Sequence, residues 1–280
     1  MGIDLEDVRL RVPGGPAHPA RVPELTARYL DFLRRHGERG TFFVVGDVAR
    51  AHPDLVRRIA AEGHEIACHS DAHLPLEEQD PARFRDGLLR ALDALRAAGA
   101  NVVRGYRAPY FSLTERTRWA YPVLAELGFA YSSSVLPARS PLYGWPAFGA
   151  EPRVVDGVLE LPVTLLRTPL LSVPNGGGVY FRVLPWPLLR RSLRAHQAAG
   201  RAVTGYLHPY DVDTARDGFA HPGFSRWGPG NWLMHANRGA VLARMERVAR
   251  LGFGFQPYGA YADALRAALP GVDGRVHGRV

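Results

Sequence analysis

Two periodicities of apolar residues alternate along the chain, one typical of buried strands and one typical of amphipathic helices. The run TFFVVG at 41–46 is continuous and β-rich, which predicts a buried strand. Before it, apolar residues recur at helical spacing over 22–37, and Gly37 ends that segment. The same patterns predict further strands at 2–5, 64–68, 102–106, 129–134, 202–208 and 253–257, and further helices at 53–63, 81–99, 114–128, 186–199, 239–251 and 258–268.

This alternation predicts the fold class. Strand and helix follow each other at least four times, which favours parallel strands joined by helical crossovers in an open doubly wound sheet or a β/α barrel. Residues 137–185 differ, because they are rich in Pro and Gly, and we expect an irregular insertion there with a hairpin. No clean linker is visible, so the pattern predicts a single domain over 1–280.

The composition of the chain indicates which classes of protein it could belong to. An apolar fraction of 46% is enough for a packed core. The net charge of +8 could indicate nucleic acid, but the chain has no Lys and its 35 arginines are scattered, so we expect no nucleic-acid partner. One Cys forms no internal disulfide, and the N-terminus has no long apolar run. These features predict a cytoplasmic protein without an integral membrane segment, whose oligomeric state the sequence does not determine.

Polar side chains follow several of the predicted strands. In folds with parallel strands, ligands collect at the carboxyl ends of the strands, so these positions predict an active site. Glu6 and Asp7 follow the first strand, His69 and His73 follow HEIAC, Arg107 follows VVRGY, and His208 ends AVTGYLH.

The segment EGHEIACHSDAH at 62–73 is the first candidate for metal binding. His69 and His73 stand four residues apart, a spacing that lets two imidazoles reach one ion, although the same pattern also occurs in polar loops. His64 begins a predicted strand and is better explained as structural. Strand alternation turns Cys68 away from His69 and into the core.

Carboxylates of the first motif are the second candidate. The sequence DLED offers Asp4, Glu6 and Asp7, which could also be a simple turn or capping cluster. Two adjacent carboxylates could have different roles in catalysis. One would bind a metal ion, and the other would take a proton from water whose pKa the metal lowers.

The motifs together resemble a known family. TFFVVG, HPDLVRRIAAEGHEIACHSDAH, RAPYF and YLHPYD occur in the order seen in NodB-homology polysaccharide deacetylases, carbohydrate esterase family 4. The opening Asp-x-Glu-Asp motif and the segment GGGVYFR resemble the bacterial branch found in exopolysaccharide gene sets. The resemblance covers most of the chain and implies a distorted (β/α)7-type barrel of parallel strands with outer helices.

The same resemblance implies an activity and a set of roles. It implies a metal-dependent N-deacetylase that releases acetate and a free amine from an N-acetylated sugar, with zinc, or else cobalt or iron, as the metal. The implied ligands are Asp7, His69 and His73; Glu6 is the implied general base, Arg107 its orienting partner, Tyr110 the backbone donor to the oxyanion, and His208 the general acid.

One position departs from the family pattern. An Asp in the fourth motif usually tunes the general-acid His, whereas this chain carries Ser132 there. Either Asp211, in HPYD, takes over that function or His208 is a weaker acid. Asp4 is a rival to Glu6 for the role of general base, because both lie on the same strand face.

Substrate contacts and other activities are less defined by the sequence. Trp227 and Trp232 lie in a polar glycine-rich segment and could stack on sugar rings, and Asp211 is grouped with them as a candidate substrate contact. Alternative functions are an amidase or deformylase acting on a non-polymeric small molecule or a lipid-linked sugar, and a catalytically inactive sugar-binding relative. Two His and one carboxylate also describe iron oxygenases, although Arg107 and His208 argue against that class.

Overall fold

The apolar runs of the sequence form the strands of one curled eight-stranded sheet and of a separate two-stranded sheet. A computed structural model describes residues 1–168, 172–215, 220–221, 225 and 227–268 of the 280-residue chain. The strands, in chain order, are β1 (Gly2–Leu5), β2 (Thr41–Val44), β3 (Glu65–Cys68), β4 (Gly105–Tyr106), β5 (Tyr131–Ser132), β6 (Arg153–Val155), β7 (Val158–Glu160), β8 (Leu165–Arg167), β9 (Ser172–Pro174) and β10 (Tyr206–Leu207).

Parallel pairing dominates the sheet. Its eight strands lie in the order β10-β1-β2-β3-β4-β5-β7-β6, and only β6 runs antiparallel to its neighbour. β8 and β9 form a separate antiparallel pair. Within the described residues the edge strands β10 and β6 do not pair, so the sheet is a half-barrel that does not close. The predicted α/β architecture with seven parallel strands is confirmed.

Helices cover the sheet and supply most of the core. In α1 the side chains of Leu25, Tyr29, Phe32 and Leu33 are all buried, which is the stripe that the helical spacing predicted. The helices are α1 (Val22–Arg35), α2 (Gly46–Ala51), α3 (Pro53–Ala61), α4 (Pro81–Ala97), α5 (Ala120–Glu126), α6 (Gly178–Val183), α7 (Trp186–Ala198), α8 (Pro229–His235), α9 (Val241–Arg250) and α10 (Tyr258–Ala268).

The structure corrects several predicted elements. The insertion at 137–185 is more regular than expected, because β7 joins the main sheet and β8 pairs with β9. The glycine-rich segment GGGVYFR leads into the helix α6, and no strand forms at 253–257. α2 and α8 were not predicted, since a helix of six or seven residues is too short to show a clear period.

The single domain over 1–280 stays a prediction, and residues 269–280 lie outside the described residues. No helix in the described part of the chain combines the length and the apolar character that crossing a bilayer requires.

Candidate active site

The order of the strands brings the predicted polar residues to one edge of the sheet. β1 lies between β10 and β2, and β3 and β4 follow on the far side of β2. Because all five strands are parallel, their carboxyl ends meet at the same edge. Asp4 and Glu6 therefore lie between His208, which follows β10, and His69, which follows β3.

Arg107 is bound to the first carboxylate of the DLED motif. Its Nη1 lies 2.5 Å from Asp4 Oδ1, and both side chains are buried. Arg107 also donates to the carbonyl oxygen and the hydroxyl of Ser133, and its guanidinium lies 3.9 Å from the centroid of the Phe43 ring. The predicted pairing of Arg107 with Glu6 is therefore wrong, because the buried guanidinium is aimed at Asp4.

Glu6 lies against a histidine instead. Its Oε2 is 2.7 Å from His73 Nε2, and both side chains are buried. Burial alone would raise the pKa of Glu6, but the charge of His73 and its hydrogen bond, with smaller contributions from His208 and His69, hold that pKa below its ordinary value. Glu6 is thus a carboxylate placed beside the two histidines, which is the position that the resemblance implied for Asp7.

His69 has its tautomer set by the backbone. Its Nδ1 lies 2.8 Å from the carbonyl oxygen of Arg107, which can only accept a hydrogen bond. Nδ1 therefore carries the proton, and Nε2 has a free lone pair. Burial lowers the pKa of His69 to about 4, so the ring is neutral at ordinary pH. The rings of His69 and His73 are 4.8 Å apart, centroid to centroid.

Asp7 does not lie where the resemblance placed it. Its carboxylate accepts hydrogen bonds from the backbone N–H, Nε and Nη2 of Arg9, two residues on. This contact caps the short helical turn that begins at Val8. In the structure Asp7 faces Arg9 and not His69 or His73, because the chain turns after Glu6, and its role as a metal ligand stays a prediction.

Glu6, His69 and His73 have the donor chemistry of a metal site. An ionised carboxylate and a neutral imidazole are the forms that bind zinc, and a ligating His usually donates its other N–H to a carbonyl, as His69 does. In the described residues no three His, Cys, Asp or Glu side chains stand close enough to hold an ion as they are. The donors fit a divalent ion chemically, and binding it requires side-chain rotation.

On the opposite side of Asp4 and Glu6 stands His208. Its Nε2 is 3.8 Å from Asp4 Oδ2 and 3.8 Å from Glu6 Oε1, while its Nδ1 is 2.9 Å from Asp211 Oδ2. Burial lowers the pKa of His208, but the hydrogen bond and charge of Asp211, with Glu6 and Asp4, outweigh it and raise that pKa. Asp211 is therefore the carboxylate beside His208, whereas the hydroxyl of Ser132 donates to that of Ser134.

The burial of Asp211 corrects one prediction. Its side chain is 0% exposed, and its two oxygens face His208 and Arg182, so it is not a substrate contact. Trp227 and Trp232 are 86% and 71% exposed, and the helix that carries Trp232, α8, packs against α6. Their role in substrate binding stays a prediction.

Tyr110 lies in a strained turn above the histidines. Tyr110 and Phe111 both have positive φ, 56° and 54°, which is uncommon for aromatic residues and typical of functional loops. The ring of Tyr110 packs 4.7 Å from that of His73, centroid to centroid. The turn therefore holds the Tyr110 backbone beside the donor set, and its oxyanion contact stays a prediction.

Sequence reasoning missed two buried charges that support the site. Glu160 ends β7 and accepts hydrogen bonds from the backbone N–H groups of Ser134 and Val135, which fixes the loop that holds Arg107. Arg182 is fully buried in α6 and lies against Asp211. A single charge inside an apolar run, as in VLELPV and GVYFRV, is the sequence signal for both.

Comparison with known families divides the chain in two. Residues 14–131, which include His69, His73 and Arg107, match the model described as polysaccharide deacetylase. This part of the chain is similar to the polysaccharide deacetylase family. Residues 133–254 match a second model, described as a domain of unknown function. The region similar to polysaccharide deacetylases thus contains the two histidines, while the second region contains His208 and Asp211.

Characterised relatives match over part of their length. A chitooligosaccharide deacetylase from Bradyrhizobium sp. (strain ANU 289) is 36% identical over 138 residues, which are 49% of this chain and 59% of that protein. A peptidoglycan-N-acetylglucosamine deacetylase from Bacillus cereus is 32% identical over 98 residues, 35% of this chain and 36% of that protein. The chain therefore spans less than two thirds of each of these relatives.

Solved structures resemble the chain over most of its length. A candidate polysaccharide deacetylase from Mycobacterium smegmatis has a TM-score of 0.63 and 25% identity, covering 95% of this chain and 90% of that one. Puue allantoinase has a TM-score of 0.58 and 19% identity, covering 88% of this chain and 73% of that one. The second likeness concerns the fold alone.

Proposed function

We propose that the chain is a metal-dependent hydrolase that removes the acetyl group from an N-acetylated amino sugar and releases acetate and a free amine. One observation carries the proposal. Asp4, held by Arg107, and His208, held by Asp211, lie 3.8 Å apart beside the donors Glu6, His69 and His73. The relatives named above as deacetylases of chitooligosaccharide and of peptidoglycan support an amino sugar as the substrate class.

Glu6, His69 and His73 are the residues that would hold the metal, with zinc the best match and cobalt or iron as alternatives. A divalent ion bound there would polarise the acetamide carbonyl and lower the pKa of a bound water towards about 7. Glu6 replaces Asp7 in this set, because Arg9 already binds the carboxylate of Asp7.

Asp4 is the residue we propose as general base, in place of Glu6. Its Oδ1 is held by Arg107, while its Oδ2 faces the site at 3.8 Å from His208 Nε2. Oδ2 is therefore free to take a proton from the attacking water. Arg107 holds the carboxylate in a fixed orientation until that transfer.

His208 is the proposed general acid. Because Asp211 accepts from Nδ1, the proton that the protonated ring can transfer is the one on Nε2, the atom that faces Asp4 and Glu6. His208 gives that proton to the amide nitrogen as the carbon–nitrogen bond breaks, since an amine anion cannot leave at ordinary pH. The backbone N–H of Tyr110 is the proposed donor to the oxyanion.

Acetate release tests the proposal directly. Chelator-stripped protein is reloaded with zinc or cobalt and offered chitooligosaccharides, a nucleotide-linked N-acetylhexosamine and a lipid-linked N-acetylhexosamine. We expect release from at least one of them, lost on chelation and restored by metal. Bound metal at one equivalent with no release from any sugar would overturn the deacetylase and favour an amidase on another small molecule, or a sugar-binding protein without activity.

A further inference from the structure

A buried ion pair lies directly behind the proposed general acid. Arg182 Nε is 2.9 Å from Asp211 Oδ1, and both side chains are 0% exposed. The other oxygen of Asp211, Oδ2, lies 2.9 Å from both the backbone nitrogen and Nδ1 of His208. The two oxygens of one carboxylate thus face Arg182 on one side and His208 on the other.

The glycine-rich segment explains how Arg182 reaches this position. Gly177 forms a parallel bridge with Tyr206 of β10, and a Cβ added at Gly177 would lie 1.6 Å from the Tyr206 carbonyl oxygen. Only glycine permits so close an approach of two backbones. α6 starts at the next residue, so this approach sets the helix beside β10 and places Arg182 against Asp211.

Stability alone does not explain the pair. Burying two charges carries a desolvation penalty that their attraction often fails to exceed, so buried pairs are weak evidence for a stabilising role. Arg182 is further held by the carbonyl oxygen of Ala236, to which its Nη1 donates. A guanidinium fixed in this way can hold its partner carboxylate in one orientation.

We propose that Arg182 is a positioning residue of the reaction. It holds the Asp211 carboxylate against His208 Nδ1, so that the protonated ring keeps the orientation in which its Nε2 proton faces the leaving nitrogen. The inference rests on the proposed hydrolase function. It assigns a role in the reaction to the region of the chain that matches a family model of unknown function.

The proposal predicts a dependence on the leaving group. In hydrolysis of the amide, water forms the new carbon–oxygen bond, Asp4 takes one water proton, and nitrogen must receive a proton from His208 as its bond to carbon breaks. A 4-nitrophenolate leaves an aryl acetate without being protonated. Loss of Arg182 should therefore slow the amide reaction far more than the ester reaction.

The experiment compares zinc-loaded wild type, Arg182→Lys and Arg182→Met on a chitooligosaccharide and on 4-nitrophenyl acetate. We expect kcat for the amide to fall about 10- to 100-fold, less than the about 10²- to 10⁴-fold that a general acid contributes, because His208 itself is retained. We expect kcat for the ester to change less than about threefold. Arg244→Met is the matched control, because Arg244 donates to the carbonyl oxygens of Phe181 and Leu184 and so supports α6 without touching Asp211.

A second pair of variants isolates the route through Asp211. In an Asp211→Asn background, adding Arg182→Met should change the ratio of amide to ester rates less than about threefold, since the carboxylate that Arg182 holds is already gone. This double variant also removes both buried charges together, which protects folding if Arg182→Met alone is unstable. Equal losses on amide and ester in Arg182→Lys would overturn the proposal.

A spectroscopic measurement keeps the test independent of the substrate. In protein labelled with ¹⁵N-histidine, the Nδ1 signal of His208 is assigned by its loss in His208→Gln. We expect Arg182→Lys to shift this signal and Arg244→Met to leave it in place. An unchanged signal in Arg182→Lys would overturn the positioning role. If the signal shifts in Arg182→Lys but the wild type releases no acetate from any sugar, only the proposed function is overturned.

Discussion

Arg107 Nη1 lies 2.5 Å from Asp4 Oδ1, and this buried contact separates the roles of three neighbouring carboxylates. Asp4 faces the arginine, Glu6 faces His73, and Asp7 faces Arg9. These three carboxylates form one acidic cluster in the sequence, but in the structure each lies in a different environment. Each environment leads to a separate measurable consequence.

Metal content should distinguish Glu6 from Asp7. We expect Glu6→Gln to lower zinc occupancy at least about tenfold, since an amide is a poorer ligand than a carboxylate. Asp7→Asn, the matched control, should keep full occupancy because that side chain binds Arg9. Zinc per protein after dialysis, measured by plasma mass spectrometry, checks both. The opposite order of occupancies would return the ligand role to Asp7.

Asp4→Asn should separate catalysis from metal binding. Zinc occupancy should stay at the wild-type level, while kcat for acetate release should fall at least about 10²-fold, a typical contribution of a general base. Acetate release and zinc content are measured on the same preparation. Turnover within threefold of wild type would remove Asp4 from the role and restore Glu6 as the candidate.

Arg107→Met should weaken the fold as well as the reaction. The substitution leaves Asp4 buried without its ionic partner, and breaking a buried pair in this way costs about 3–5 kcal/mol of unfolding free energy. Urea denaturation followed by circular dichroism measures the loss. The double variant Arg107→Met with Asp4→Asn should recover part of it, and no recovery would mean that Arg107 acts through Ser133 instead.

Gly177→Ala should displace α6 from β10. The added Cβ would clash with the Tyr206 carbonyl, so we expect a loss of at least about 2 kcal/mol in unfolding free energy together with a lower ratio of amide to ester hydrolysis. Gly87→Ala is the control, because Gly87 lies within α4 and its nearest neighbour is the flexible end of Arg90 at 3.7 Å. That change should be neutral or stabilising. Wild-type stability in Gly177→Ala would show that the close approach is not required.

Much of the fold could be predicted because its signals are local. The apolar run at 41–46 and the stripe of α1 each report burial within a few residues, and both were confirmed as β2 and α1. Short elements failed for the same reason. α2 and α6 each have six residues, and the glycines before α6 obscured a helix whose position depends on Tyr206, a residue distant in sequence.

The sequence by itself determined that polar chemistry follows parallel strands, and it identified His69, His73, Arg107 and His208 as residues of one edge. Parallel strands present their carboxyl ends together, so strand order was not needed for that inference. Only the tertiary structure decided that Arg107 binds Asp4 and that Arg182 lies behind Asp211. These partners come from separate elements, and in a low-dielectric interior the preference among nearby carboxylates depends on distances that no spacing along the chain encodes.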